Sequence, residues 1–517
     1  MNSVDQERQR DPNLLALITL CAVLFLTFLD TTIVSVALAS IQSELHAGVS
    51  QLQWIVNGYA LTFASLMLLA GSLSDRFGRK RVMLIGLIIF GAGSLLGALA
   101  SSPGLLIAAR VVMGIGAAAS EPGTLSMLRH LYPEPEQRAR ALGAWASVSG
   151  LALAIGPVIG GALVAIGTFR AVFWFNVGAA LCVGLLMSRT VPESVDPVST
   201  RLDISGFVVG VIGIGSLTFA ITLGETVGYR APLVVSLFLV GVLALTAFVR
   251  IERSTPSPML DMMYFQSPRF TGAIVVAFIL FFSIFSIFFF TALYLTAVIG
   301  YSPDRVAVEF LPMALAMIAA AGIAGSQVAR VGPGLPMAQG CLLGGAGILL
   351  SEVLLGSSQP SAWLMATLAL AGFGFGLSVV PMTSVVLSEV PPAHSGMAAS
   401  TTNTSRELGA VFGVAVLGAL VNAHLNGDLT HRLKELRIPS NFISIIISAI
   451  ETGSVPAGVT GGGSRIEVQV IHAAYNAFQD GLKEALLTAG IGMLIAGIVA
   501  AATLGQRAAS KEHSQSN

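Results

Sequence analysis

Charged side chains inside long apolar runs are the groups of this chain most able to do chemistry, because one at the centre of a membrane helix costs about 2.5–3.5 kcal/mol on insertion scales unless it is paired or hydrated. Asp30, Arg110, Glu121, Arg406 and Glu407 are such residues. At about 1.5 Å of rise per residue, Asp30 lies about 12 Å from the outer end of its run and Arg110 about 9 Å from the same face, so the two share a depth and can pair as a buried salt bridge. Glu121 is about 16 Å deeper than Arg110 on the same run, beside Pro122. Arg406 and Glu407 lie about 14 Å into a later run, a comparable distance from the inner face. Glu121 is therefore expected to face Arg406 when the inner side is shut and to part from it when protonated. A carboxyl whose proton affinity is set by burial and a nearby cation is what a proton carrier needs. The bland alternative has Glu121 bonded within its own bundle and Arg406 paired with Glu407 or a carbonyl. Glu309 and Glu352 fall within about two turns of the outer face, where solvated ends or an entrance role both fit.

The elements holding these residues are membrane helices. Of 517 residues 54% are apolar and only 10% charged, against about a quarter charged in soluble proteins. Apolar runs place spans near 14–38, 51–71, 82–100, 104–128, 140–166, 171–189, 204–223, 232–250, 270–297, 306–329, 335–355, 362–387, 397–421 and 481–505, fourteen in all. With both termini inside, inner segments carry 17 basic residues and short outer loops three (Arg170, Arg230 and Arg305), which orients the chain with cytoplasmic termini. The first run is too long for a secretory leader and is expected to stay as a span. An outer segment, 422–480, exceeds the usual loop length and contains an apolar stretch at 442–450 and a glycine-rich one at 458–464; a partly helical cap or a gating or docking role is expected.

Several classes fall away. Net charge is zero, giving no footprint for nucleic acid. Cys21, Cys182 and Cys341 are scattered through apolar segments, so neither a disulfide framework nor a metal knuckle fits. None of the lysines (Lys80, Lys434, Lys483 and Lys511) follows a glycine, so no phosphate-binding loop exists and transport would draw on a gradient. With no nucleophile, metal or paired-carboxylate constellation, an enzyme is not expected, nor any cofactor.

An internal echo divides the chain. The string GSLSDRFGRKR at 71–81 and GSQVARVG at 325–332 align on a shift of 254, matching Gly71 with Gly325, Ser72 with Ser326, Arg76 with Arg330 and Gly78 with Gly332. Both fall at inner junctions between an even and an odd span, as expected for two parallel bundles around a midplane site. The expected divisions are a tail 1–13, a six-helix bundle 14–189, a linker with two inserted helices 190–250, a second six-helix bundle 251–505, and a tail 506–517.

The 71–81 string resembles the loop signature of the major facilitator superfamily. Segments 28–42 (FLDTTIVSVALASIQ), 110–125, 150–161 (GLALAIGPVIGG), 201–206, 301–312 and 403–418 (NTSRELGAVFGVAVLG) are similar to its fourteen-span drug:proton antiporters of the EmrB/QacA type. The resemblance implies an all-α integral membrane protein with the major facilitator fold, two six-helix bundles plus two inserted helices. It further implies that Asp30 and Arg110 contribute to the proton or substrate pathway of the first bundle. Gly71, Asp75, Arg76, Gly78 and Arg79 are read as a conformational latch as well as an inside anchor. Gly156 and Pro157 belong to the exporter pattern of span 5, where Pro157 should bend the helix. Glu121 departs from the family, which usually has an apolar residue there. Met113 replaces a frequent glutamine, pointing to a more apolar substrate.

Span 9 is crowded with phenylalanine, and Phe281, Phe285 and Phe289, with Met113, are the residues expected to line a cavity for flat lipophilic cations. The expected function is proton-coupled export of lipophilic or cationic compounds by alternating access. The alternatives are an exporter of one endogenous lipid, siderophore or antibiotic, and a non-transporting sensor or scaffold. Expected partners are the small molecule, protons and membrane lipid, with the chain monomeric. Arginine far exceeds lysine and Ala and Gly abound, hinting at a GC-rich genome and a bacterial cytoplasmic membrane.

Overall fold

The computed structural model describes residues 13–47, 49–195, 203–255, 258, 260–297, 299, 301, 303–354, 361–391, 394–436, 438 and 465–504. Among them are thirteen α-helices, one short 3-10 turn and no strand, in keeping with the all-α reading. The helices are α1 (Leu14–Leu45), α2 (Val49–Phe77), α3 (Arg79–Ala98), α4 (Pro103–Leu131), α5 (Pro135–Thr190), α6 (Ile204–Val227) and α7 (Pro232–Ser254). They continue with α8 (Pro268–Ala297), α9 (Pro303–Val331), α10 (Gly334–Leu354), α11 (Ser361–Ser388), α12 (Ser395–Glu435) and α13 (Arg465–Leu504). Twelve are long and apolar enough to cross a membrane, and the bent α2 makes a thirteenth.

The fourteenth crossing is hidden inside α5. Its 56 residues would stretch about 84 Å as one rod, nearly three times the hydrocarbon thickness of about 30 Å. The backbone instead leaves the helical region at Gly167 (φ −155°) and Thr168 (φ 63°), so α5 is two limbs joined by a two-residue reversal. A left-handed φ is rare for a β-branched residue and needs outside support. Ser40 of α1 supplies it by accepting the Phe169 N–H at 3.1 Å. Arg170 adds to it, donating to the Ala100 carbonyl at 3.0 Å and pairing with Glu44. The sequence reading ends one span at 166 and begins the next at 171, and the reversal falls in that gap, at Gly167–Thr168, where the φ/ψ demand is met by a glycine and a braced threonine; at Pro157, where a bend is expected, the chain remains helical.

Two groups of helices result. In one, α1 packs on α5, α2 on α4, and α3 on α4 and α5; in the other, α9 packs on α11, α10 on α11 and α13, and α12 on α8 and α13. Helices α6 and α7 pair with each other and reach the first group through α2, where the rings of Trp54 and Phe219 lie 5.3 Å apart. The groups meet through α5 against α9 and α2 against α12. The face at which α1 begins and α13 ends, here the terminal face, is also where Asn13 donates to the Leu131 carbonyl at the end of α4 (2.9 Å).

On the opposite face α12 and α13 run on past the length of one crossing, with 41 and 40 residues respectively. Their extensions form an antiparallel stalk with its own apolar seam of Leu429, Leu433, Ala473, Ala474 and Ala477. Arg432 donates to Asp480 across it at 2.8 Å. The expected cap at 422–480 is thus helical at both ends, while 442–450 and 458–464 lie outside the described residues. Because the Arg432–Asp480 pair is about a third exposed, Arg432→Ala is expected to cost no more than about 1 kcal/mol. Leu433→Asp, which places a charge in the fully buried seam, is expected to separate the two helices. Limited proteolysis of the stalk checks both.

Candidate functional site

Ser102 accepts the Leu105 N–H at 3.3 Å and Pro103 opens the helix, so the start of α4, and with it the depth of Arg110, is fixed by an N-cap. Arg110 Nη1 meets Asp30 Oδ2 at 2.5 Å with both side chains essentially inaccessible, which is the pairing the rise arithmetic predicts. Every face of this pair is committed. Asn176, on the second limb of α5, donates to Asp30 Oδ1 at 2.7 Å. Arg110 Nε donates to the Ile55 carbonyl at 3.0 Å, and its guanidinium lies 4.4 Å from the centre of the Tyr59 ring. A buried pair so fully bonded is fixed in place rather than free to exchange partners.

One step away stands the second charged cluster. Tyr59 Oη reaches toward the Thr27 carbonyl at 3.5 Å, and Thr27 Oγ1 donates to Glu121 Oε2 at 3.2 Å. Glu121 is within electrostatic range of Arg406 on α12, across the boundary between the groups. No ion pair within 4.0 Å joins them. Arg406 is 1% exposed and donates through Nη1 to Asn403 Oδ1 at 3.1 Å. Three rings surround its guanidinium: Phe281 at 4.2 Å, Trp145 at 5.2 Å and Phe28 at 5.7 Å. Trp145 is itself held by donating to Thr124 Oγ1 at 3.1 Å, one turn beyond Glu121. Glu407 is half-buried on the adjacent position of α12. The cluster therefore places two carboxyl groups near one arginine that neither neutralises by direct contact.

The terminal face is sealed by the loop signature. Gly78 has φ 103°, a conformation an L side chain avoids, and this allows α3 to start one residue after α2 ends. Arg79 then folds back, donating to Asp75 Oδ1 (2.8 Å), Ser194 Oγ (3.1 Å) and Ser395 Oγ (2.8 Å). Asp75 Oδ2 accepts the Met397 N–H at 3.1 Å in the first turn of α12, where the helix dipole favours a carboxylate. Arg129 donates to the Val390 carbonyl at 2.8 Å and Ser147 to the Ile318 carbonyl at 3.2 Å, each linking the two groups. A Cβ on Gly71 would fall on Ser400 of α12, and one on Gly325 on the Ala139 carbonyl of α5. The two strings that match in sequence thus make reciprocal contacts, each with the other group.

The sites read from the sequence divide accordingly. Asp30 with Arg110, and Glu121 with Arg406 and Glu407, are brought together, as are Gly71, Asp75, Gly78 and Arg79. Arg76 lies over the Phe77 ring, and its buried Nη1 has no hydrogen-bond partner among the described residues. Gly156 sits where α5 crosses α1, so close that a Cβ would strike Thr32. Among the expected cavity residues, Phe281 lies in the cage and Phe285 stacks on it at 6.0 Å. Met113 is different: it is fully buried against Gly93 of α3 with its sulfur 3.9 Å from Arg110, and so serves packing within the first group. Phe289 is 51% exposed and contacts Phe290, away from the cage. Asn176, Tyr59 and Trp145, inside apolar spans, and Ser194, in the linker after α5, were missed, since neutral polar or aromatic residues carry no charge to flag them.

A second strut on the terminal face joins Tyr264 Oη to His394 Nδ1 at 3.0 Å. Burial, then Asp261, pushes the tyrosine hydroxyl above its ordinary range, so it stays protonated.

The model of the Major Facilitator Superfamily matches residues 20–414. Among curated relatives, the multidrug resistance protein Stp of Mycobacterium tuberculosis is 31% identical over 92% of this chain and 89% of its own length. The methylenomycin A resistance protein of Bacillus subtilis is 33% identical over 81% and 89%. Among solved structures, the human organic anion transporter MFSD10 superposes with a TM-score of 0.63 over 95% of this chain and 99% of that one at 15% identity, a likeness of fold alone. The helical architecture, the reciprocal loop contacts and these matches together establish that the chain belongs to the Major Facilitator Superfamily.

Proposed function

We propose that this protein exports lipophilic small molecules in exchange for protons, by alternating access of the two helix groups, from a bacterial cytoplasmic membrane with the terminal face cytoplasmic. One observation carries this reading: a buried carboxyl, Glu121, faces a buried cation on the other group just below a sealed face, with no direct ion pair to lock it. Two carboxyl groups beside one arginine let a proton be taken up or released while the charge of Arg406 remains offset, so protonation changes the attraction across the boundary that must open. The orientation is supported by the excess of basic residues on the terminal face. Relatives named for multidrug and methylenomycin A resistance support a drug as cargo. The first group carries Asp30, Arg110 and Glu121, the second Arg406 and Glu407, and the chain works as a monomer.

The test is Glu121→Gln in everted vesicles. Substrate-evoked proton release is expected to vanish while exchange of labelled for unlabelled substrate, which needs no net proton movement, continues. Unchanged coupling in this variant would remove Glu121 from the mechanism.

A further inference from the structure

The arginine at the centre of the molecule has more bonding capacity than the protein uses. Arg406 Nε and Nη2 are buried and find no partner among the described residues, although Nη1 is bonded to Asn403. On the same turn of α12, Asn403 Nδ2 and Thr404 Oγ1 are also buried without partners among the described residues. Leaving buried donors unpaired is costly, and a charged donor more so. Nε and Nη2 are not two arbitrary donors: they form one edge of the planar guanidinium, the parallel N–H fork that matches the two oxygens of a carboxylate.

The surrounding rings narrow the choice further. Phe281, Trp145 and Phe28 already have a cation in reach, the guanidinium itself, so they offer little to a cationic ligand entering beside it. They do offer apolar surface to the body of a molecule whose charged end is negative. Phe28 and Trp145 belong to the first helix group and Phe281 and Arg406 to the second, so the cage opens to a ligand whenever the groups part.

We propose that the Nε–Nη2 edge of Arg406 is a carboxylate-binding subsite, and that the cargo of this protein includes lipophilic carboxylic acids bound as anions. The subsite deepens the export reading given above and rests on it for the direction of movement, but not for binding. Glu121, already in electrostatic range, is the protein's own carboxylate able to take the same edge when no ligand is present.

The test compares 1-naphthaleneacetate with its amide, 1-naphthaleneacetamide, and with tetraphenylphosphonium, by equilibrium binding to the full-length protein in nanodiscs. The acid is expected to bind at least tenfold more tightly than the amide, which has the same shape without the charge. Arg406→Lys keeps the charge but loses the fork; it is expected to weaken the acid at least tenfold and leave the amide unchanged, with size-exclusion profiles reporting the fold. Equal binding of acid and amide to the unmodified protein, absence of saturable binding by the acid, or full retention of its affinity in Arg406→Lys would overturn the subsite. Proton release from everted vesicles on adding tetraphenylphosphonium separates the two readings. Its presence without acid binding sinks the subsite alone, and Arg406-dependent acid binding with no proton-coupled movement of either compound sinks the export reading while the subsite stands.

Discussion

Truncating either member of the Asp30–Arg110 pair to alanine is expected to destabilise the protein by about 3–5 kcal/mol, because the surviving charge is left buried and uncompensated. Both side chains are at most 1% exposed and have no route to water in this arrangement. The effect should appear as lost folded yield and a lowered midpoint in thermal unfolding of the detergent-solubilised protein. Asn176→Leu, which removes one of the hydrogen bonds to Asp30, is expected to cost less, about 1–3 kcal/mol. The double variant D30N/R110Q removes both charges at once and is expected to recover much of the stability lost in either single variant. Its transport activity then separates two roles: wild-type export rates would make the pair scaffold alone, and folded but inactive protein would place it in the conducting machinery.

A larger conformational effect is expected from Gly71→Leu and Gly396→Leu. A Cβ at Gly71 would lie 2.6 Å from the Gly396 carbonyl as well as on Ser400, and one at Gly396 on the Asp75 carboxylate. At Gly71 the obstacle includes a backbone atom, which cannot turn aside, and at Gly396 it is the Asp75 carboxylate, held by Arg79 and the Met397 N–H, so both variants are incompatible with the sealed terminal face. About 5.5 kcal/mol suffices to invert a 99:1 distribution of two states, and a leucine in that space is expected to approach it. Spin labels at Lys80 on α3 and Glu389 after α11, both at the terminal face, should report a longer distance at the expense of the sealed one. A sealed-distance population as large as in the unmodified protein would mean that these glycines do not govern closure. Because neither residue touches the Asp30–Arg110 pair or the Glu121–Arg406 cluster, the helical content should change little, and Gly71→Leu, which leaves the Asp75–Arg79 pair intact, should shift the thermal midpoint less than Gly396→Leu.

Rise per residue was enough to place Asp30 level with Arg110 and Glu121 level with Arg406, since depth in a membrane helix depends only on counting. Azimuth does not follow from counting alone. Eight phenylalanines lie along α8, and nothing in their spacing distinguishes Phe281, which touches Arg406, from Phe289, which is half exposed. The partners that finish each cluster were hidden for another reason: Asn176, Tyr59 and Trp145 cost little in an apolar run when bonded and so leave no trace in hydropathy. The latch was legible as a motif, but its receiving side was not, because Met397 contributes a backbone N–H and Ser395 a hydroxyl, groups without a sequence signature. The gap between spans at 166 and 171 marked the reversal of α5, but not its brace, because Ser40 comes from α1 and Arg170 reaches out to Ala100 and Glu44, groups distant in sequence.

That reversal bears on how the protein is made. Gly167 and Thr168 are all that separates the two limbs of α5, and no polar stretch is available there to pause in the aqueous channel during synthesis. The limbs must therefore leave the insertion machinery together, as a hairpin, after α1 has already emerged to offer Ser40. A nascent chain exposed beyond the ribosome only as far as Thr168 should have its leading limb unanchored, whereas one exposed past Thr190 should be stably integrated.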